Sequence, residues 1–146
     1  MSLVEARIQI DCAPQKVYAL AKNMERFPDF MPDVEEVKVI ERSDDRTVTE
    51  WTTNVEGIPI CWTEEDLFDD AANSITYNLV EGDLEKFEGA WSFLENDGGT
   101  EVILTVDFDF GMPTLADLLG PILEVKVREN SQMMLVGLKS AIEEPA

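Results

Sequence analysis

The chain closes with a long segment of helical apolar spacing, from about Leu115 to Ile142, fed directly by two amphipathic strands. The first is Phe87-Glu88-Gly89-Ala90-Trp91-Ser92-Phe93 and the second runs from Thr100 to Phe110, with Asn96-Asp97-Gly98-Gly99 turning one into the other. Apolar residues recurring three and four apart mark a helix, and alternation marks a half-buried strand. Strands that deliver the chain into one long helix predict a sheet curved around that helix. Such layers can leave an apolar space between them, so a container for a hydrophobic molecule is the leading functional expectation.

The remainder reads as strand after strand. Val4, Ala6, Ile8 and Ile10 alternate with Glu5, Arg7 and Gln9. Pro14 suits a first helical turn, and Val17, Leu20, Ala21 and Met24 give a short helix stripe. Phe27-Pro28-Asp29-Phe30-Met31-Pro32 follows, whose two prolines leave room for a single helical turn. Further strands are expected over residues 34–41, 46–55, 58–68 and 74–80, punctuated by Ser43-Asp44-Asp45, Glu56-Gly57, Asp69 to Asn73 and Glu81-Gly82-Asp83. The sum is an α+β chain: a curved seven-stranded antiparallel meander, two short helices after the first strand, and one long C-terminal helix. Gly120-Pro121 is expected to kink that helix or to mark its start, and the helix's apolar stripe is wide.

At 146 residues the chain fits a single domain over 1–146. The 31 acidic residues against 11 basic give a formal charge of −20, a field that repels phosphate backbones, so no nucleic-acid partner is expected. Cys12 and Cys61 form neither a disulfide framework nor a zinc motif and are expected to be small buried or half-buried side chains. No run reaches the ~18 apolar residues of a membrane span, and the first residues carry no signal pattern; stable membrane insertion is not expected, and a cytoplasmic location is. The absence of histidine removes Ser–His and Cys–His nucleophile pairs and most catalytic zinc sites. No phosphate-binding loop or metal motif is present, so neither cofactor nor metal is expected.

Alternation places Glu64 and Asp66 on the same face as Trp62 and Phe68. If the aromatics point inward, two carboxylates go with them, and a carboxylate beside Trp in a dry site would act as acid or base. If the strand twists or bulges, both are solvated, the commoner state of carboxylates. Trp51 and Thr53 share a face, as do Tyr77 with Ile75, Trp91 with Phe87 and Gly89, and Phe108 with Val106. They form either a plain core or the wall of a cavity, with Gly89 leaving room. The expected ligand-binding set is Trp51, Trp62, Tyr77, Phe87, Trp91, Phe108, Met112 and Met133 on the wall, with Phe27, Phe30 and Met31 at the mouth. Gln132, Tyr77 and Glu64 are the candidate polar anchors; Glu64, Asp66 and Tyr77 are the candidate catalytic groups.

Ile10-Asp11-Cys12-Ala13-Pro14-Gln15-Lys16-Val17-Tyr18, the Phe27–Pro32 segment, and Leu84 to Phe93 with Thr100 to Phe110 and the last helix resemble the START / polyketide cyclase–dehydrase (SRPBCC) superfamily across nearly the whole chain. The resemblance implies the helix-grip fold. Its nearest branches in pattern are the coenzyme Q-binding START proteins and the bacterial aromatase/cyclases. The first implies binding, storage or transport of a quinone, lipid or polyketide-like molecule. The second implies polyketide cyclisation or dehydration, here with pocket carboxylates and oriented water. Some cyclases place an arginine and a tyrosine in the pocket; the matching positions fall near Asp66 and Val34, and neither residue is retained, which sets a binder ahead of a cyclase. A closed interaction module without a ligand is the remaining alternative.

Overall fold

The computed structural model describes residues 2–55, 57–109 and 113–143, and for 2, 55, 58 and 113–123 the backbone alone. Glu56, Phe110 and Met112, expected in a turn, a strand end and the wall of a cavity, lie outside the described residues. The strands are β1 (Ser2–Ile10), β2 (Val34–Ser43), β3 (Arg46–Val55), β4 (Ile58–Asp69), β5 (Ser74–Gly82), β6 (Lys86–Asn96) and β7 (Gly99–Asp109). They form one seven-stranded sheet in the order β1-β7-β6-β5-β4-β3-β2, antiparallel at every pairing. Helix α1 (Pro14–Lys22) and a 3₁₀ turn (Met24–Asp29) separate β1 from β2, and α2 (Pro113–Glu143) closes the chain. This is the expected helix-grip arrangement.

Local chemistry sets the joints. Asp97 and Gly98 both take positive φ, 50° and 81°, between the paired Asn96 and Gly99. That is the two-residue turn whose twist matches a hairpin, and it needs residues that tolerate the left-handed region. Pro14 opens α1, and Val17, Tyr18 and Ala21 give it a buried face. The segment between the two prolines is shorter on helix than expected, because Pro28 falls inside the 3₁₀ turn and Met31 N–H already bonds back to Phe27 O at 2.7 Å.

Helix α2 runs unbroken through Gly120-Pro121, so that pair does not mark its start. Over its described side chains the inward stripe is narrower than expected. Ser131, Leu135 and Leu138 are buried, with Val127, Met134 and Ile142 partly so, at three- and four-residue spacing. Val125, Met133 and Val136 lie round the cylinder from them and are exposed. One flank of α2 follows β1. Arg128, Gln132 and Lys139 donate to the carbonyl oxygens of Glu5, Arg7 and Gln9 at 3.4, 3.3 and 2.6 Å, and Glu143 accepts from Asp11 N–H at 2.8 Å. The outer carbonyls of an edge strand invite pairing with another chain; here the helix occupies them.

Candidate functional site

The sheet registers bring the inward residues of separate strands into rows. Thr47 lies opposite Asp66, Asp66 opposite Tyr77, and Tyr77 opposite Gly89. The adjacent row pairs Thr49 with Glu64 and Glu64 with Leu79, and the next pairs Trp51 with Trp62. A register shift between Thr63 and Glu64 bends β4 against β5 without turning the carboxylates outward. Glu64 is 3% exposed and Asp66 0%, so the solvated alternative is overturned. Trp62, Glu64 and Asp66 alternate along the inward face of β4, although Thr63 between them is buried as well, and the aromatics carry the acids in with them.

The two acids sit in a defined hydrogen-bond network. Thr47 and Thr49 hydroxyls donate to Asp66 Oδ2 at 3.0 and 2.7 Å. Trp62 Nε1–H donates to Glu64 Oε1 at 2.7 Å, and Trp51 Nε1–H to Thr49 Oγ1 at 2.8 Å. Asp66 Oδ1 is buried with no donor among the described residues. Two adjacent buried carboxylates cannot both ionise without cost, and a proton on Glu64, shared with Asp66, supplies the missing donor. Burial, and then the charge of Asp66, hold the Glu64 carboxyl well above the ordinary range. Burial raises Asp66 as well, opposed by the hydrogen bonds it accepts from Glu64, Thr49 and Thr47. The state these forces favour is protonated Glu64 beside ionised Asp66. Thr47 and Thr49 escaped the sequence reading, although a Thr-x-Thr-x-Trp face beside a Trp-x-Glu-x-Asp face was the available signal.

Tyr77 stands over Gly89. Its hydroxyl donates to Thr105 O at 2.7 Å, and a β-carbon at Gly89 would lie 2.8 Å from that hydroxyl and 1.9 Å from Thr105 O. The room at Gly89 is therefore filled by Tyr77 and does not belong to a cavity. Burial, and then the negative charge of the Glu64–Asp66 pair, raise the Tyr77 hydroxyl well above its usual value, so it remains a neutral phenol. Its one proton is already engaged.

Aromatic rings continue the wall. Trp51 and Trp62 stack at 5.5 Å between centroids and 8° between planes, and Phe87 joins Trp62 at 4.8 Å and Tyr77 at 5.3 Å. Phe27 reaches Trp51 at 5.7 Å, Trp91 at 5.9 Å and Phe30 at 5.9 Å. Phe93 links Trp91 to Tyr18. Phe27 and Met31 are buried, not at a mouth, because the 3₁₀ turn packs them into the wall, while Phe30 is half-buried. Trp51, Trp62, Tyr77, Trp91 and Phe108 are buried, and Phe87 is half-buried.

Two expected residues fall elsewhere. Met133 is 41% exposed, because helical spacing turns it away from Leu135 and Leu138. Gln132 is exposed and bonds the edge of β1, so neither joins the aromatic wall. Cys61 is exposed as well, out of phase with inward Trp62. A separate groove of about 340 Å³, lined by Glu25, Val39, Ile40, Glu41 and Arg42, lies beside β2 away from this network; the Glu25–Arg42 ion pair sits in it.

No described helix is long and apolar enough to cross a membrane. No curated protein matches the chain. Among solved structures, TTHA0849 from Thermus thermophilus is 32% identical and superposes with a TM-score of 0.92 over 95% of each chain. The Zhui aromatase/cyclase from Streptomyces sp. R1128 shares the fold at 18% identity and a TM-score of 0.78, covering 99% of this chain and 98% of its own. A START superfamily protein from Mycobacterium smegmatis does so at 15% identity and a TM-score of 0.85, over 99% of each. The family model described as "Polyketide cyclase / dehydrase and lipid transport" matches residues 10–135, and the chain belongs to that family.

Proposed function

We propose that the chain binds a hydrophobic small molecule between the concave face of its sheet and α2, and stores, carries or presents it. The observation that carries this reading is the continuous aromatic wall from Tyr18 to Tyr77, which ends on inward-facing side chains that are only partly buried. Ile60, Leu79 and Phe87 lie on the inner face beside Trp62, yet solvent reaches them. Three large apolar side chains left partly open together on an inner face form a patch suited to an apolar ligand. The stacked pair Trp51–Trp62 offers flat rings to a planar or flexible apolar ligand.

The test is native mass spectrometry of freshly purified protein, organic extraction of anything carried, and titration with the neutral fluorophore N-phenyl-1-naphthylamine. Saturable one-to-one binding, weakened by Phe87→Ala, is expected. An unliganded chain that takes up no probe would leave the closed interaction module as the better description.

Glu64 supports a second reading. A protonated carboxyl beside a carboxylate, away from water, is suited to general-acid work on a carbonyl or hydroxyl group, as a polyketide cyclase or dehydratase requires. Turnover of a polyketide mimic that is lost in Glu64→Gln while probe binding persists would establish it.

A further inference from the structure

All eleven Lys and Arg residues lie among those described, and none is buried. The two nearest in chain to the pair are tied to acids out of phase with the inward rows: Arg46 bonds Glu65 at 2.6 Å and Lys86 bonds Asp107 at 3.0 Å. Lys22, whose ammonium lies 5.0 Å from the centre of the Phe68 ring, is held by Asp70 at 2.9 Å. The interior therefore holds a carboxyl–carboxylate pair with no cation. An anionic head group brought there would meet a like charge with nothing to neutralise either, and like charges placed together in a desolvated site repel strongly.

The hydrogen-bond inventory is lopsided in the same sense. Two carboxyl groups offer about eight lone-pair sites between them. The donors that meet them are Thr47, Thr49 and Trp62, with a proton on Glu64 as the fourth. Trp51 and Tyr77, the other donors alongside, are engaged with Thr49 and Thr105. Asp66 Oδ1 is fully buried and meets only the proton on Glu64 among the described residues. What remains for a ligand is acceptor capacity, not donor capacity.

We infer that the interior site takes a neutral ligand carrying a hydroxyl or comparable hydrogen-bond donor, presented to Glu64, behind which Asp66 lies, and rejects anionic head groups. This rests on the binding function proposed above and names its ligand class. Fatty-acid and other carboxylate anions are excluded; phenols and alcohols of flat or flexible apolar skeletons are admitted.

Three probes with one ring system test it by tryptophan-fluorescence titration of the full chain near neutral pH. These are 2-naphthol, a neutral donor; 2-methoxynaphthalene, which lacks the donor; and 2-naphthoate, an anion. The naphthol should bind about tenfold more tightly than the methoxy compound, and the naphthoate at least about tenfold more weakly than either, as expected for one charge-assisted hydrogen bond and one like-charge contact. Asp66→Asn, with folding verified by circular dichroism, should narrow both gaps. Equal affinities for all three, or tightest binding of the naphthoate, would overturn the ligand class while leaving hydrophobic binding intact. Failure of all three together with N-phenyl-1-naphthylamine would overturn the binding function itself. The wild-type ranking decides the matter if the variant does not fold.

Discussion

At the scale of single residues, Glu64 makes the most specific demand on solution behaviour. Its proton is retained in the folded chain and released on unfolding once pH exceeds the ordinary Glu value of about 4.3. The folded state then binds more protons than the unfolded one, and stability falls as pH rises from that value towards the raised folded one. Glu65, Asp70 and Glu143 have the opposite sign, depressed first by the hydrogen bonds from Arg46, Tyr18 and Asp11 respectively. Their contribution is lost only below the ordinary carboxylate range, and solvent screens it. Between about pH 5 and 8 the buried acid should win, so the melting temperature should decline across that interval. Glu64→Gln should flatten the decline and stabilise the protein at the upper end by about 1 kcal/mol or more, because a carboxamide offers Asp66 a permanent N–H and still accepts from Trp62. A flat wild-type profile, or a Gln variant that melts lower at pH 8, would show that no proton is shared there. Trp91→Ala, by contrast, removes a ring that is 3% exposed and should cost about 3–5 kcal/mol in chemical denaturation. Phe30→Ala at a half-buried position should cost distinctly less; equal losses would place Phe30 in the core.

Elements were far more legible than their partners. Strand alternation located all seven strands to within a few residues of their ends, since inward and outward faces differ so sharply in polarity, and Asp97-Gly98 announced its turn. The aromatic wall followed from the same alternation. The carboxyl pair did not, because whether a strand such as β4 buries its acids depends on donors from β3, and cross-strand register cannot be read from one strand. The inward face of α2 was misjudged for a related reason. Leu135 and Leu138 share their helix with Met133 and Val136, and apolar character alone does not say which flank meets the sheet. Gln132 looked like a pocket anchor, but its amide serves the β1 edge. That edge function is testable. Replacing Arg128, Gln132 and Lys139 together by Ala should leave the melting temperature little changed, since all three bonds are exposed. It should nevertheless free the carbonyls of Glu5, Arg7 and Gln9 and promote self-association. Light scattering coupled to gel filtration would register this as a concentration-dependent rise in mass; a strictly unchanged mass would mean that the helix backbone alone shields the strand.

Over the whole molecule, charge is segregated. The interior carries a carboxyl pair without a cation, while the surface carries most of a formal −20. With 31 acidic groups against 11 basic, even complete pairing leaves most acids facing other acids. Salt acts on both kinds of surface contact. It weakens exposed ion pairs such as Arg7–Glu5 and Arg26–Asp29, which are worth between 0 and about 1 kcal/mol each. It also weakens the more numerous repulsions, which destabilise a compact state of high net charge. Because uncompensated acids dominate, relief of repulsion should prevail: raising NaCl from ~0.01 M to ~0.5 M, as the screening length falls from about 30 Å to a few ångströms, should raise the melting temperature and then level off. Glu64 and Asp66 lie beyond the reach of that screening, because buried pairs are screened much less. The gain from Glu64→Gln at pH 8 should therefore be the same at low and high salt, and the two effects should add. A melting temperature that falls with salt would mean that surface ion pairs outweigh the net charge. A Gln advantage that disappears in salt would mean that water and ions reach the carboxyl pair, which would remove the dry, cation-free interior on which the ligand class depends.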